Sequence, residues 1–212
     1  MLYRTHKAGG TLGMLVAFEV ARQHGLLLPN VNEFVQLLIM YPAASWGATA
    51  PDLDHHWGSV KEKTPFNLLV HKILHLSKPT HRSWQTHSIL VTGGFCALLY
   101  ALVMLGDTYF GVGALGGFDW IILRLVVMGV LVGIASHLIL DAMSTAGIWI
   151  YPGLKLRFVP KTSFFATGSG WETFVYYVCI ISSFLLVLNI FLGFFDINLI
   201  SLTLDWMEKL KG

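Results

Sequence analysis

The chain has 212 residues, of which 55% are hydrophobic and only 12% are charged. A soluble globular domain carries about 25% charged residues, so this composition excludes an ordinary soluble protein and indicates a membrane protein. The formal net charge is only +2, and the sequence has no basic patch of the kind that binds nucleic acid. The length suits one domain with several membrane spans.

The N-terminal part of the chain contains two apolar stretches and one amphipathic stretch. Residues 9–28 are interrupted by Glu19, Arg22 and Gln23, which predicts either an amphipathic helix or a span whose polar face lies inside a bundle. Residues 34–50 are rich in Gly, Ala and Ser, a composition typical of closely packed membrane helices. The spacing in residues 65–75 predicts an amphipathic helix at the membrane interface.

Three later stretches are predicted to cross the membrane, because about 20 apolar residues span the hydrocarbon core. They are residues 89–105, 120–140 and 174–195. Residues 147–171 contain Gly, Pro and basic residues, which predicts a structured loop. The sequence therefore predicts an all-α, polytopic membrane protein with four to five transmembrane helices and additional interfacial helices. Residues 1–195 would form the membrane-embedded domain, and residues 196–212 an amphipathic C-terminal tail.

Lys and Arg are distributed unevenly among the connecting segments. They occur at the N-terminus and in residues 51–86 and 142–171, whereas residues 106–119 have none. If residues 9–28 span the membrane, the positive-inside rule places all three basic segments on the cytoplasmic side. The candidate functional residues lie in or beside these segments, so we expect them to meet at one membrane face.

His and Asp recur where predicted spans begin or end. His137 and Asp141 are four residues apart and share one helix face, at a depth where polar groups are costly and usually functional. Asp52 and Asp54 follow a span and would point the same way in an extended loop. Imidazole and carboxylate groups bind zinc and other divalent ions. The candidate metal ligands are His6, Asp52, Asp54, His55, His81, His87, His137 and Asp141.

Each motif taken alone also has a structural explanation. The acidic segment that follows residues 34–50 could be a solvated loop, and the segment with Arg82 and Trp84 could be an aromatic, basic anchor at the interface. His137 and Asp141 could be hydrogen-bonded structural groups at a helix end. The expected meeting of all three motifs at one membrane face favours a metal site.

The order of these motifs resembles the YdjM-type inner-membrane metal-dependent hydrolases, over about residues 5–180. The motifs that carry the resemblance are His6, Pro51 to His55, His81-Arg82, Thr86-His87-Ser88, Ser136-His137, Asp141, Thr145 and Gly147, followed by Pro152, Arg157 to Pro160, Gly168-Ser169 and Glu172. The resemblance implies a membrane-bound, metal-dependent hydrolase. The ligand style is also similar to that of zinc phospholipase C and P1-type nucleases, which are helical enzymes with several His/Asp-bound zinc ions.

These similarities imply hydrolysis of a phosphoester in a lipid or lipid-linked substrate, with metal-activated water as the nucleophile. The cofactor would be zinc, with enough ligands for two or three ions, and manganese or magnesium are alternatives. The expected catalytic residues are Asp54, His87 and Glu172. The expected substrate-binding residues are Arg82, Ser88 and Thr145.

Two other functions are compatible with the same residues. A transporter or channel for divalent ions or protons also places His and Asp inside the membrane, although its site should lie near the midplane on broken helices. A non-catalytic membrane adaptor could use a structural metal site, which would have a closed coordination shell. Depth and an open coordination position distinguish these alternatives from a hydrolase.

Overall fold

The computed structural model describes residues 2–29, 31–55, 62–75, 82–110 and 120–193. In these ranges the protein is mainly helical, in agreement with the predicted class. The helices are α1 Tyr3–Gln23, α2 Glu33–Gly47, α3 Pro65–His75, α4 Ile89–Phe110, α5 Trp120–Ala142 and α6 Gly170–Gly193. A 3-10 helix at Ala50–Asp54 follows α2. Residues 111–119 and the predicted tail 196–212 lie outside the described residues.

Three of the described helices, α4, α5 and α6, are long and apolar enough to cross a membrane. Helix α2 has 15 residues and is therefore about 22 Å long at ~1.5 Å per residue, which is shorter than a hydrocarbon core of ~30 Å. Helix α1 has 21 residues but is less apolar. The predicted total of four to five spans is therefore not confirmed.

Helix α1 packs mainly against α5 and α6 and carries a buried polar side chain. Glu19 is only 7% exposed, and its carboxylate accepts hydrogen bonds from Arg22 at 2.9 Å and 3.0 Å and from Gln23 at 2.8 Å. On the same helix, Met14 and Phe18 belong to the main apolar core. The buried Glu19 agrees with the inward polar face of the second alternative, but α1 is not among the described helices that are long and apolar enough to cross a membrane.

Helices α2 and α5 pack closely because glycines lie at their contact. A Cβ atom added at Gly133 would lie 2.2 Å from the carbonyl oxygen of Ala44, and one added at Gly129 would lie 2.5 Å from that of Met40. The close packing predicted for residues 34–50 is confirmed. The contact sets the 3-10 helix that follows α2 beside the C-terminal end of α5.

The region predicted as a structured loop contains an antiparallel hairpin, formed by β1 Ile148–Tyr151 and β2 Leu154–Leu156. The strands were not predicted because they have only four and three residues. Gly153, at φ +97°, provides the left-handed conformation that the turn requires. A 3-10 helix at Ser163–Phe165 follows, and α6 begins at Gly170, four residues before the predicted span.

The amphipathic helix predicted for residues 65–75 corresponds to α3. Its Phe66, Leu69 and Ile73 side chains are 55–57% exposed, as expected for a helix with an outward apolar face. His71 contacts the rest of the protein, because its Nδ1 lies 2.7 Å from the carbonyl oxygen of Leu53. Helix α3 is thereby attached to the 3-10 helix that carries Asp52.

Candidate metal centre

Five predicted ligands meet at one end of the helices. His6 is the fourth residue of α1, Asp52 lies in the 3-10 helix after α2, and His87 lies two residues before α4. His137 and Asp141 occupy the last two turns of α5. We call these five residues the His/Asp cluster. They converge because α1 and α4 begin at this end of the protein, whereas α2 and α5 end there.

Asp141 contacts all three imidazoles of the cluster. Its Oδ1 lies 3.4 Å from Nε2 of His6, and its Oδ2 lies 3.6 Å from Nε2 of both His87 and His137. The side chains of Asp141, His6 and His137 are fully buried, and that of His87 is 1% exposed. Water therefore does not solvate these groups from outside, and their polar atoms depend on one another or on a bound ion.

Asp52 closes the cluster on its accessible side. Its Oδ1 lies 3.7 Å from Nε2 of His87 and 3.9 Å from Nε2 of His137, and its Oδ2 lies 3.9 Å from Nε2 of His6. The Asp52 side chain is 23% exposed, so it is the most accessible member of the cluster.

Contacts at Nδ1 orient the imidazoles of His137 and His87. Nδ1 of His137 lies 2.8 Å from the carbonyl oxygen of Ala48, and because a carbonyl only accepts, Nδ1 carries the proton. Nδ1 of His87 lies 2.9 Å from Oγ1 of Thr86 and 3.5 Å from Oδ2 of Asp54. In both residues Nε2 therefore faces the carboxylates, an arrangement typical of metal-ligating histidines.

His6 has an unusual environment for a buried histidine. Among the residues that the structure describes, neither of its ring nitrogens has a hydrogen-bond partner, although the ring stacks on His137 with 3.8 Å between centroids. A buried polar atom without a partner is costly. A cation bound between His6, His137 and the nearby carboxylates would satisfy Nε2, so the residues present fit a metal ion.

The ligand atoms form two groups of three, and the atoms of each group lie within 4.8 Å of one another. They are His6, His137 and Asp141, and Asp52, His87 and His137. Because Nδ1 of His137 bonds to Ala48, this residue offers one lone pair and serves one ion at a time. The donors are imidazole nitrogens and carboxylate oxygens, a set that suits zinc and other borderline divalent ions.

The charges of the cluster shift the pKa values of two groups that lie outside the spanning helices. Burial raises the pKa of the Asp52 carboxyl, but the imidazoles of His137, His87 and His6 outweigh burial and hold this pKa well below its usual range. Burial lowers the pKa of His87, whereas Asp52, Asp54 and Asp141 raise it to about 9. The carboxylates thus hold a proton on His87 when no ion is bound, and metal binding would release it.

Asp54 lies on the outer side of His87, away from the cluster. Its Oδ2 accepts hydrogen bonds from Oγ1 of Thr86 at 2.5 Å and from the backbone N–H of Arg82 at 3.1 Å. The expectation that Asp52 and Asp54 point the same way is wrong, because the segment is a 3-10 helix. With three residues per turn, positions two apart face different directions.

We expect Asp54→Asn to weaken zinc binding roughly 10- to 100-fold, the range for groups that orient a metal-bound histidine. The neutral amide would no longer favour the tautomer of His87 that presents Nε2. Zinc titration against a competing chelator would measure the change. Asp107→Asn is the matched control, because Asp107 pairs with Arg124 and not with the cluster. Equal affinities for Asp54→Asn and wild type would contradict this role.

Arg82 lies beside the cluster in a constrained conformation. It has φ +58°, in the left-handed region that is uncommon for non-glycine residues. Its backbone N–H donates to Asp54, and its carbonyl oxygen accepts from Nε1 of Trp149 at 3.1 Å. Its Nη2 lies 3.5 Å from Oδ1 of Asp141. The guanidinium thereby lies next to the His/Asp cluster.

Of the other predicted site residues, Ser88 and Thr145 form hydrogen bonds within the protein. Ser88 is fully buried and its hydroxyl accepts from the N–H of Val91 at 3.0 Å, which caps the start of α4. The backbone N–H of Thr145 donates to Phe165 at 3.2 Å. His55 is partly buried and follows the 3-10 helix. His81 lies outside the described residues.

Glu172 fastens the N-terminus to α6. Its carboxylate accepts hydrogen bonds from the backbone N–H groups of Leu2 and Gly168, the second at 2.6 Å. Glu172 is 2% exposed. These contacts hold the first turn of α1, which carries His6. They give the carboxylate a positioning role that its sequence motif did not indicate.

Two supporting contacts were missed in the sequence. The backbone N–H of Trp149 donates to the carbonyl oxygen of His87 at 2.9 Å, in addition to the bond from its indole to Arg82. A tryptophan near a predicted membrane surface is typical of an interfacial anchor, so its sequence context hid this role. The Ala48 carbonyl oxygen that orients His137 belongs to the backbone, so no side chain in the sequence indicates this role.

The fold and the cluster define a multi-pass membrane protein with a buried His/Asp site, able to hold a metal ion, at one end of its helices. The chain matches the family described as YdjM inner membrane protein over residues 1–204. It therefore belongs to this family and is an inner membrane protein, as the sequence motifs predicted. No curated protein and no solved structure matches the chain.

Proposed function

We propose that this protein is a metal-dependent hydrolase that cleaves a phosphoester in a lipid or lipid-linked substrate. The observation that carries the proposal is the Arg82 guanidinium, whose Nη2 lies 3.5 Å from Oδ1 of Asp141 in the His/Asp cluster. A guanidinium beside a candidate cation site suits an anion that both can bind. Arginine binds phosphate oxygens through charge-assisted hydrogen bonds.

The residues of the cluster and their neighbours Arg82 and Asp54 would have distinct roles. His6, His87, His137, Asp52 and Asp141 would hold the ion. A divalent ion bound there supplies an electrophile for a phosphoryl oxygen and lowers the pKa of a bound water. Arg82 would bind and orient the substrate phosphate, and Asp52 would line the entrance. Asp54 would keep His87 oriented through its contact with Nδ1.

The depth of the cluster favours a hydrolase over a transporter. The ligands lie at helix ends and in the segments that join helices, whereas transporter sites lie near the membrane midplane on interrupted helices. A site at the helix ends is level with lipid headgroups, which is where a phosphoester of a lipid lies. The guanidinium next to the cluster likewise favours an anionic substrate over a purely structural metal.

Hydrolysis can be tested with the full-length protein in detergent. We expect zinc-loaded protein to cleave a phospholipid or bis(p-nitrophenyl) phosphate, to lose activity with a chelator and to regain it with zinc. Asp141→Ala should be inactive, whereas His24→Ala should be active, because His24 is exposed at the other end of α1. A zinc-bound protein that hydrolyses none of these phosphoesters would contradict the proposal and favour an adaptor or transporter.

We also propose that the cluster faces the cytoplasm, as the positive-inside rule predicts. Lys161 lies in the exposed segment after the hairpin and is suitable for labelling. In a Cys96→Ser/Cys179→Ser background, Lys161→Cys should react with a membrane-impermeant maleimide in inverted vesicles. Labelling in intact spheroplasts instead would place this face outside.

A further inference from the structure

Three backbone or indole hydrogen bonds attach the hairpin β1–β2 and the segment after it to His87 of the His/Asp cluster and to two residues near the cluster. Trp149 donates from its backbone N–H to His87 at 2.9 Å and from its indole to Arg82 at 3.1 Å. After β2, the N–H of Phe158 donates to the carbonyl oxygen of Ala142 at 2.8 Å, which directly follows Asp141. The hairpin therefore has a fixed position beside both the candidate metal ligands and Arg82.

Two cations lie on the hairpin or directly after it. Lys155 is paired with Trp149 across the strands, and its Nζ lies 4.4 Å from the centroid of the indole ring. The side chain of Arg157 passes over Gly147, where an added Cβ would lie 2.5 Å from Cγ of Arg157. Gly147 has φ +64°, so both its conformation and the close approach of Arg157 favour glycine.

The cations are close enough to influence one another. Partial burial lowers the pKa of the Lys155 amine, and the charges of Arg157, Arg82 and Lys161 lower it further. Lys155 and Arg157 are exposed, and within the described ranges neither forms an ion pair with a carboxylate. Crowding of like charges is unfavourable, and an anion bound among them would relieve it.

The same hairpin also presents apolar side chains to its surroundings. Tyr151, Leu154 and Phe158 are 42–60% exposed. In a protein of the inner membrane, exposed aromatic and aliphatic groups beside cations are typical of a surface that contacts lipid headgroups and the first part of the acyl chains. The surroundings of the cations therefore suit an anion that belongs to a lipid.

We propose that Arg82, Lys155 and Arg157 form a headgroup clamp that binds a lipid-linked phosphate carrying at least two negative charges. This inference rests on the proposed function and specifies its substrate class. Arg82 would match a first phosphate charge next to the His/Asp cluster. The two hairpin cations would match a second charge, as on a phosphomonoester or a diphosphate.

The test measures binding by the full-length protein as purified in a neutral detergent, so that hydrolysis is not needed. Phosphatidic acid, phosphatidylglycerol and phosphatidylcholine with identical acyl chains would be titrated at pH 8 and their adducts counted by native mass spectrometry. Soluble inorganic pyrophosphate is a fourth probe. Lys155→Gln/Arg157→Gln is the test variant. Lys63→Gln/Lys72→Gln removes the same charge from exposed positions near or on α3 and is the control.

We expect wild type to prefer phosphatidic acid over phosphatidylglycerol roughly tenfold, about the effect of one good charged contact. The test variant should lose this preference, and the control should keep it. An unchanged preference in the test variant, or an equal loss in the control, would overturn the clamp. Pyrophosphate binding as tight as that of phosphatidic acid would overturn its lipid component.

The outcomes also distinguish a failure of the headgroup clamp from a failure of the proposed hydrolase activity. Selective binding of phosphatidic acid by a protein without metal-dependent hydrolysis supports the clamp and contradicts only the proposed reaction. Metal-dependent hydrolysis that is equally fast for mono- and dianionic lipids, in both wild type and the test variant, contradicts only the clamp.

Discussion

Replacing His137 with Ala is expected to abolish tight metal binding and with it any metal-dependent activity. His137 belongs to both groups of three ligand atoms, and its Nε2 lies 3.6 Å from Asp141 and 3.9 Å from Asp52. Loss of a direct ligand should exceed the roughly 10- to 100-fold loss typical of an orienting residue. Metal content after dialysis and a zinc titration against a chelator would measure the loss.

The matched control for this variant is His24→Ala, which removes an exposed imidazole at the other end of α1. Because His137 is fully buried and stacked on His6, its removal could also disturb folding. His137→Gln keeps a polar side chain of similar length and leaves a smaller cavity than His137→Ala. It therefore provides a second test. Retention of stoichiometric zinc by both folded His137 variants would contradict the proposed centre.

Replacing Gly133 with Ala is expected to destabilise the protein by about 1–3 kcal/mol, the usual cost of overpacking a tight contact. The added Cβ would lie 2.2 Å from the carbonyl oxygen of Ala44 and 2.7 Å from the backbone nitrogen of Ala48. These are backbone atoms, so α2 must move away from α5. The movement would displace the Ala48 carbonyl that orients His137, and zinc affinity should fall as well.

Unfolding in detergent, followed by helical circular dichroism, would measure the loss of stability. Gly94→Ala is the control, because a Cβ at this position of α4 meets no atom within 4 Å. It should be neutral or slightly stabilising, since Ala has a higher helix propensity than Gly. Similar unfolding curves for the two variants would show that the α2–α5 contact does not limit stability.

The sequence predicted the helical class and where the ligands would meet, because both follow from simple periodicity. His137 and Asp141 share a helix face by their spacing alone. Alternating helices then bring the start of one span and the end of the next to the same side. The sequence placed His6, Asp52 and His87 at such ends, and the structure brings these residues together with the pair on α5.

The roles of individual carboxylates could not be predicted, because they depend on local geometry. The turn of the 3-10 helix separates Asp54 from Asp52, and only the folded structure shows Asp54 behind His87. Glu172 binds backbone N–H groups, a role that any buried carboxylate could have. Trp149 contributes through its backbone and indole N–H groups, and its position depends on strands too short to recognise.

The predicted number of four to five spans is not confirmed, and α2 shows why composition alone is a weak guide to it. Residues 34–50 have the composition of a membrane helix, but α2 ends at Gly47 and gives way to a 3-10 helix at Ala50–Asp54. The apolar run therefore continues past the helix, because its last residues belong to the segment that positions Asp52.

X-ray absorption at the zinc edge of the purified protein tests the central claim most directly. We predict stoichiometric zinc with a first shell of nitrogen and oxygen only, including two or three imidazoles at about 2.0–2.1 Å. Asp141→Ala should lose this signal, and His24→Ala should keep it. A protein without stoichiometric metal, or one whose zinc is bound by sulfur from Cys96 or Cys179, would contradict the centre proposed here.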